Sequence, residues 1–403
     1  MTPSAAPAPA AVPAPAPASP AALTSPARSA RAICPRSSTA VLAYPMHGQR
    51  KLLGEGYRTR DGHLIEWLGS RLAEQGGVTV VSRPEPPLPR RSARGAAAAG
   101  TRSVEPLAWR VPHLRDRRRW WLDSVASYPA VPGHLDSTPA LVWNPFVATA
   151  PARADPFGGR RRVVLDLLDD WTQHYAFRSV RTEVHEAYAA AFARADVVTA
   201  NGAGTAELAR RFGRDDVVLL PNGCDPERYD PSSSAEGRTT VGYVGKIGRR
   251  LDLEGILATV RRHPSVHFVF AGPVLDAEYR APLQGAANVT LLGDVHYDDV
   301  PALLRTVDVG WVPHHVGERE VGGDVIKTYE YRAAGLPVLS TPVCGASSRG
   351  LDGVVVAPLA DHADRLAALV GDGPRVPRLH PSIPAEATWR HKTDVVLAAL
   401  GLR

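Results

Sequence analysis

The sequence is poor in cysteine and has no long apolar run, and each shortage excludes a class of protein. Its three cysteines, Cys34, Cys224 and Cys344, lie far apart among 403 residues, and no CxxC or Cys/His spacing connects them. This pattern excludes a scaffold held by disulfides, argues against a structural zinc site and predicts a reducing, cytoplasmic location. Because no apolar run reaches about 18 residues, we expect no membrane-spanning helix.

Lysine is also scarce, so the basic charge comes almost entirely from arginine. The chain has 47 basic and 41 acidic side chains and a net charge of +6, and only four of the basic residues are lysines. Such a balance is typical of proteins that bind nucleic acid, anionic lipid or phosphorylated substrates. No aromatic residues interleave with the arginine runs at 90–102 and 115–119 as base stacking requires. We therefore expect no nucleic-acid partner, and peripheral contact of these loops with an anionic membrane stays open.

Residues 1–32 consist almost entirely of alanine, proline and serine. Such a segment cannot bury enough apolar surface to offset its loss of conformational entropy, so we predict a disordered tail. A cleaved export signal is the competing interpretation, but prolines interrupt every apolar stretch, and no leucine-rich core follows a basic start.

After the tail, short β-branched runs alternate with amphipathic helical stretches, which is typical of a parallel sheet. Strands are predicted at 39–44, 78–82, 140–143, 162–168, 196–199, 217–220, 240–244, 266–271, 289–292, 308–312 and 337–340. Helices are predicted at 61–75, 180–195, 204–212, 252–261, 300–305, 326–334 and 385–402. Residues 83–108 have no clear period, so we predict mostly loop there.

The strand and helix series restarts after a turn-rich, polar stretch near residue 230. This predicts an α/β chain with two Rossmann-like domains that face a cleft. The predicted domains are 33–230 and 231–384, followed by a closing helix within 385–403. In open parallel sheets, ligands usually bind at the carboxyl ends of the strands, which meet at the cleft in this arrangement.

A glycine-rich turn after a predicted strand is the first candidate site. The strand ends at Gly245, and Lys246, Arg249 and Arg250 follow it. Glycine lets the backbone come close to a diphosphate, and the three basic side chains offer positive charge. The alternative is an ordinary turn with solvated basic residues.

A second candidate site lies in residues 322–338, where two glycines are predicted to open a helix. Lys327 and Glu330 lie three residues apart and therefore share a face of that helix. A cation for phosphate and a carboxylate for a ribose diol would suit a nucleotide. The alternative is an exposed Lys/Glu pair without a ligand.

These stretches resemble the family 4 glycosyltransferases with the GT-B fold. One branch of that family has a helix that reads roughly K-x-x-E-Y-x-A-x-G-x-P-V, and residues 327–338 read KTYEYRAAGLPV. Further similar stretches are 60–64, 166–171, 195–200, 221–225, 270–273, 288–293 and 308–313. The resemblance covers residues 40–400, and the helix motif is its most specific part.

The resemblance implies a retaining transferase that moves a sugar from a nucleoside diphosphate, with UDP favoured, and needs no metal or other cofactor. The implied donor-binding residues are Gly245, Lys246, Arg249, Arg250, Gly323, Asp324, Lys327 and Glu330. Glu330 would bind the ribose hydroxyls, and Lys246 and Lys327 would neutralise the diphosphate. The family often has a glutamate where this chain has Gly322, and a neutral residue where it has Asp324. We expect Asp324 to cap the helix.

The N-terminal domain is expected to bind the acceptor. The implied acceptor-binding residues are Arg60, His63 and Asp169, and the candidate catalytic residues are His47 and Asp170. Asp169 and Asp170 end a predicted strand, so a metal-binding pair is an alternative for them.

The expected acceptor is a hydroxyl or amine of a small molecule, such as the aglycone of an antibiotic or other secondary metabolite. An acceptor for cell-surface glycan carried on lipid is an alternative. Two further alternatives are a sugar-nucleotide epimerase and a non-catalytic subunit of GT-B type that binds nucleotide or glycan.

Overall fold

Two sheets of short parallel strands form the framework of the protein. The structure is a computed structural model that describes residues 41–88, 95–317, 322–346, 349–371, 373 and 375–402. Short apolar runs such as Val41–Tyr44 and Val163–Leu167 are buried along their whole length, because packed helices and loops cover both faces of the sheets. The tail predicted at 1–32 lies outside the described residues.

The first sheet is built from the N-terminal half of the chain. Its strands are β1 (Val41–Tyr44), β2 (Val78–Val81), β3 (Thr101–Val104), β4 (Ala140–Val142), β5 (Val163–Leu167), β6 (Val197–Ala200) and β7 (Val218–Leu219). Neighbouring strands pair in parallel in the order β3-β2-β1-β4-β5-β6-β7. The helices of this half are α1 (Gln49–Glu55), α2 (Arg60–Leu72), α3 (Trp120–Asp123), α4 (Arg181–Arg194) and α5 (Ala203–Arg211).

The second sheet follows from residue 240. Its strands are β8 (Thr240–Val244), β9 (His267–Ala271), β10 (Val289–Gly293), β11 (Val309–Val312), β12 (Val338–Ser340) and β13 (Val354–Val356). They pair in parallel in the order β10-β9-β8-β11-β12-β13. The later helices are α6 (Leu253–Arg262), α7 (Arg280–Gln284), α8 (Val300–Arg305), α9 (Ile326–Ala333), α10 (His362–Val370) and α11 (Trp389–Ala399).

Six strands of the first sheet follow the same order as the six strands of the second, and β7 is added at one edge of the first. This order indicates where a ligand can bind. In each sheet the second and third strands are added on one side of the first strand, and the fourth strand is added on its other side. The direction in which strands are added therefore reverses between β1 and β4 and between β8 and β11. Ligands of such sheets usually bind outside the strand carboxyl ends at this point. The predicted α/β class with two Rossmann-like sheets is confirmed, and the domain boundaries at 230/231 and 384/385 stay predictions.

Each predicted strand is present in the described residues, and the ends that can be compared differ by at most two positions. Residues 39 and 40 of the first predicted strand lie outside the described residues. The prediction of mostly loop over 83–108 was wrong at 101–104, where β3 forms. This edge strand is mostly exposed, and its sequence Thr-Arg-Ser-Val lacks the apolar pattern that indicates a strand. The sequence patterns also did not predict β13, α1, α3, α7 and α10.

The closing helix predicted at 385–402 is observed as α11, after one short turn of 3-10 helix at Ala385–Ala387. It packs against α2 of the N-terminal half, where Trp389 and Leu397 share a buried core with Leu64 and Leu68. The chain therefore returns to the first sheet after completing the second. No helix in the part of the chain that the structure describes is long and apolar enough to cross a bilayer.

Candidate functional site

A cavity of about 450 Å³ lies between the carboxyl ends of the strands of both sheets. This volume lies within the range of small-molecule sites, roughly 300–1,000 Å³. Of the predicted site residues, the lining includes His47, Arg60, Asp169, Gly245, Lys246, Arg250, Gly323, Asp324, Lys327 and Glu330. The structure thus brings together residues from the ends of β1, β5 and β8 and from the start of α9.

Two glycines let the loops after β8 and β9 touch. Gly245 and Gly272 have φ of +150° and +148°, values that residues with a side chain rarely adopt. A Cβ on Gly272 would lie 1.9 Å from the carbonyl oxygen of Gly245. A Cβ on Gly245 would lie 3.1 Å from Cε of Lys327, so glycine there leaves space for the lysine to reach the cavity.

Lys327 and Glu330 both face the cavity, so the interpretation as an exposed Lys/Glu pair is wrong. Lys327 Nζ lies 5.0 Å from the centroid of the Tyr243 ring. Glu330 is 5% exposed, and the hydroxyls of Tyr297 and Tyr229 hydrogen-bond to its carboxylate. The arrangement holds one cation and one carboxylate side by side at the start of α9.

Burial shifts the pKa of both groups toward the neutral form. Desolvation, with help from the charge of Arg250, lowers the pKa of Lys327 to about 7. Desolvation also raises the pKa of Glu330, opposed by the hydrogen bond from Tyr297. Groups with strongly shifted pKa values that meet in a cleft are typical of functional sites.

The affinity of the cavity for a nucleoside diphosphate is expected to fall by roughly tenfold as pH rises through 7. Lys327 is a cation below its pKa of about 7 and neutral above it, and only the cation attracts phosphate strongly. Titration calorimetry with UDP between about pH 6 and about pH 9 measures this slope. Lys327→Met should weaken binding and flatten the slope. A wild-type affinity that is constant over this range would contradict the assignment.

The basic residues after Gly245 divide between the cavity and the outer surface. Arg250 Nη2 pairs with Asp169 Oδ2 at 3.3 Å, and Lys246 Nζ lies 3.9 Å from Glu55 Oε1. Both pairs join the two halves of the chain across the cleft. Arg249, by contrast, pairs with Glu278 on the surface and does not line the cavity, which corrects its assignment to the donor site.

The start of α9 differs from its prediction. The helix begins at Ile326, so the two glycines precede it and do not open it. Asp324 does not cap the helix, and its buried carboxylate pairs with Arg349 Nε at 2.6 Å. It also accepts hydrogen bonds from the backbone N–H of Asn222 at 3.0 Å and from the hydroxyl of Tyr329 at 2.8 Å. Because Arg349 compensates its charge, Asp324 can line the cavity without strongly repelling a diphosphate.

On the acceptor side, His47 and Arg60 both line the cavity, and each is hydrogen-bonded to other residues of the protein. The ring of His47 accepts a hydrogen bond from Lys51 Nζ, with 3.0 Å between Nζ and Nε2. Burial and the charge of Lys51 hold the pKa of His47 well below its usual range, so the ring is neutral at pH 7. Arg60 donates two hydrogen bonds to Asp166 and one to Asn222, so its guanidinium is already hydrogen-bonded to protein groups.

Besides Arg249, two predicted site residues of the N-terminal half lie outside the cavity lining. His63 is fully buried and stacks on Trp389 with 4.7 Å between ring centroids, so its assignment as an acceptor contact is corrected. Asp170 accepts from the backbone N–H of Thr172 at 2.9 Å and pairs with Arg211 at 2.5 Å. The geometry therefore does not support Asp170 as a catalytic group.

Asp169 and Asp170 also do not form a pair that could hold one metal ion. Asp169 turns toward Arg250 in the cavity, whereas Asp170 turns toward Arg211 outside it. Within the described ranges, the three side chains placed closely enough to hold an ion are His63, Glu66 and Asp225, which lie apart from the cavity lining.

Sequence reasoning missed several lining residues. Lys51, Arg118, Trp121, His174 and Tyr175 face the cavity from the N-terminal half, and His314 faces it from the end of β11. Lys51 lies in α1, which the sequence patterns did not predict, so no helical spacing pointed to it. Trp121 lies in α3, and Arg118 and Tyr175 lie in short 3-10 helices, none of which the sequence patterns predicted.

The fold matches that of solved GT-B proteins. Sucrose-phosphate synthase from Thermosynechococcus elongatus superposes with a TM-score of 0.64 and 15% identity, over 90% of this chain and 96% of that one. HepE from Anabaena, solved with UDP and glucose, superposes with a TM-score of 0.58 and 15% identity, over 89% and 94% of the two chains. The protein therefore has the GT-B fold of glycosyltransferases, which confirms that part of the resemblance.

The family model described as Glycosyl transferases group 1 matches residues 238–372, which contain the second sheet and α9. The chain is also similar to D-inositol 3-phosphate glycosyltransferase from Nocardia farcinica, with 30% identity over an alignment of 241 residues. The match covers 51% of this chain and 52% of that protein. The chain thus spans about half or less of the length of the curated relatives that it matches. Residues 238–372 therefore match the Glycosyl transferases group 1 family, and the resemblance seen in the sequence is confirmed over this stretch.

Proposed function

We propose that the protein is a retaining glycosyltransferase that takes a sugar from a nucleoside diphosphate, with UDP favoured. The placement of Lys327 beside the buried carboxylate of Glu330 in the cleft carries this proposal. A nucleoside diphosphate presents two charged phosphates and a ribose diol, which match one cation and one carboxylate. The choice of UDP is supported by the UDP found in the structure of HepE.

In this proposal, the main chemical contribution of the protein is to stabilise the leaving diphosphate with positive charge. As the bond between the sugar and the diphosphate breaks, negative charge grows on the diphosphate. Lys327 and Lys246, which both line the cavity, would stabilise that charge from fixed positions. Positioning of donor and acceptor in the cleft supplies much of the remaining rate, and the proton of the acceptor group passes to an oxygen of the departing diphosphate as the new bond to the sugar forms.

His47 is proposed to contact the transferred sugar or the acceptor. Its neutral ring lies in the loop after β1, on the opposite side of the cleft from α9. A neutral imidazole can exchange hydrogen bonds with a hydroxyl without adding charge to the site. Asp169, which lines the same side and pairs with Arg250, is proposed to bind the acceptor.

The proposed acceptor is a hydroxyl or amine of a small molecule such as a secondary metabolite, and the proposed location is the cytoplasm. An acceptor of cell-surface glycan synthesis carried on lipid is the second candidate. A surface next to the cavity, residues 104–119, favours this second class and is described below. A non-catalytic nucleotide-binding subunit is a third candidate, because Gly322 stands where related enzymes often have a glutamate.

A thermal-shift panel with UDP, GDP, dTDP and ADP tests the donor site. At a ligand concentration about 100-fold above Kd, the matching nucleotide is expected to raise Tm by roughly 3 °C or more. Since no metal is proposed, the shift should persist in a chelator and stay the same with magnesium. No shift with any nucleotide would overturn the donor assignment. A shift without transfer or hydrolysis of the matching nucleotide sugar would favour the non-catalytic subunit.

A further inference from the structure

The most exposed apolar side chains of the described residues are concentrated in one segment of the N-terminal half. Leu114, Val111 and Trp109 are 90%, 85% and 81% exposed, and no other large hydrophobic side chain in the described ranges exceeds 61%. Val104 and Leu107 of the same segment are also exposed. We call residues 104–119 the basic-apolar segment. Exposed apolar side chains grouped in this way usually mark an interaction surface.

The same segment carries strong positive charge. Arg110, Arg115, Arg117, Arg118 and Arg119 are all exposed, and the segment's carboxylates are Glu105 and Asp116. Asp116 accepts a hydrogen bond from the backbone N–H of Arg118 at 3.0 Å, so it also shapes the turn. Exposed apolar and exposed basic side chains are therefore both concentrated in this one segment.

Both ends of the basic-apolar segment are fixed to the protein, which presents its middle to solvent. Near the start, the backbone N–H of Ala108 donates to the carbonyl of Glu85 at 2.9 Å. Just after the end, Trp120 Nε1 donates to the carbonyl of Pro84 at 3.0 Å. Trp109, Val111 and Leu114 lie between these two anchors.

The segment lies at the mouth of the cavity. It begins at the end of β3, the edge strand of the first sheet, and strand carboxyl ends face the cleft. It ends at residues that line the cavity, since Arg118 and, shortly after it, Trp121 both do so. A surface bound by this segment would lie next to the cavity.

We propose that residues 104–119 dock the protein onto the surface of an anionic lipid bilayer. Tryptophan prefers the boundary between lipid headgroups and acyl chains, where Leu114 and Val111 could also insert. Each arginine near an anionic surface strengthens binding by about fivefold. A soluble polyanion would use the arginines and leave the apolar side chains in water, and a neutral apolar partner would leave the arginines unused. Docking itself does not depend on the proposed function. Only its role, which is to bring a lipid-carried acceptor to the cavity, rests on that function.

Cosedimentation of the full chain with lipid vesicles tests this proposal. The protein is expected to bind vesicles of phosphatidylglycerol and phosphatidylcholine, to bind pure phosphatidylcholine at least about tenfold more weakly, and to dissociate as salt is added. W109S/V111S/L114S should weaken binding by at least about tenfold. R110S/R115S should weaken it by roughly 25-fold, which is two arginines at about fivefold each.

Matched controls come from the same half of the chain. Leu219→Ser removes an exposed apolar side chain from β7, the opposite edge of the first sheet, and R181S/R210S removes two positive charges from α4 and α5. Both should bind anionic vesicles as the wild type does. Equal binding by the triple serine variant and the wild type would overturn the proposal, as would no binding of the wild type to anionic vesicles.

A soluble polyanion distinguishes the bilayer from other anionic partners. Duplex DNA that binds as tightly as anionic vesicles, and binds the triple serine variant equally, would also overturn the proposal. The nucleotide thermal shift should be unchanged in every variant, because none of the substituted residues lines the cavity. Loss of vesicle binding with an intact nucleotide shift therefore concerns the docking surface alone, and the reverse result concerns the donor site alone.

Discussion

Replacing Glu330 by alanine is expected to lower kcat/KM for the nucleotide sugar by about 100-fold or more. Hydrogen bonds to a charged group contribute about 1.5–3 kcal/mol each, and a ribose diol offers two. The loss should be large because Glu330 is 5% exposed, so little water can replace the carboxylate once it is removed. Steady-state kinetics with the donor that gives the thermal shift measures the effect.

The controls for Glu330 separate loss of the donor contact from loss of the fold. Glu330→Gln keeps one oxygen acceptor for Tyr297 and Tyr229 and should recover part of the activity. Glu254→Ala removes an exposed carboxylate from the first turn of α6 in the same half of the chain and should leave kcat/KM unchanged. Unchanged kinetics of Glu330→Ala, with the far-UV spectrum of the wild type, would rule out the ribose assignment.

The sheets could be predicted from the sequence because most strands are buried on both faces. Runs such as Val163–Leu167 and Thr240–Val244 are almost continuously apolar, and that pattern needs no tertiary context to be recognised. Strand β3 has only one partly buried residue, Thr101, so its conformation depends on pairing with β2 and leaves no apolar pattern. Local pattern therefore predicted the centres of the sheets and the edge strands β7 and β10, and it missed the edge strands β3 and β13.

The site could be predicted only where its residues lie close together in the chain. Lys327 and Glu330 share one helical turn, so their spacing alone placed them on one face. Tyr229 and Tyr297 are 68 residues apart, yet their hydroxyls are 2.9 Å apart and both contact Glu330. Arg249 was assigned to the site because it is a basic residue of the turn after Gly245, but it pairs with Glu278 outside the cavity. Spacing in the sequence therefore predicts neither contacts between residues far apart in the chain nor the direction in which neighbouring side chains of a turn point.

The ion pair between Arg60 and Asp166 is expected to be the most costly single contact to break. Both side chains are at most 1% exposed, and the guanidinium donates to the carboxylate at 2.7 and 2.8 Å. Trp143 Nε1 donates to the same carboxylate at 2.6 Å, and Arg60 Nη1 donates to Asn222 at 3.0 Å. This network connects α2, β4 and β5 to the turn that leads out of the first sheet.

Asp166→Ala should therefore destabilise the protein by about 3–5 kcal/mol, because it leaves the buried charge of Arg60 without its partner. The matched control is Arg71→Ala, also on α2, whose pair with Asp394 is 2.7 Å long but about half exposed, and we expect a loss of at most about 1 kcal/mol. Urea unfolding of both variants measures the difference. The double variant R60M/D166L should be more stable than Asp166→Ala, since it removes the unpaired charge. If Asp166→Ala were no more destabilising than Arg71→Ala, burial of the pair would not determine its energy.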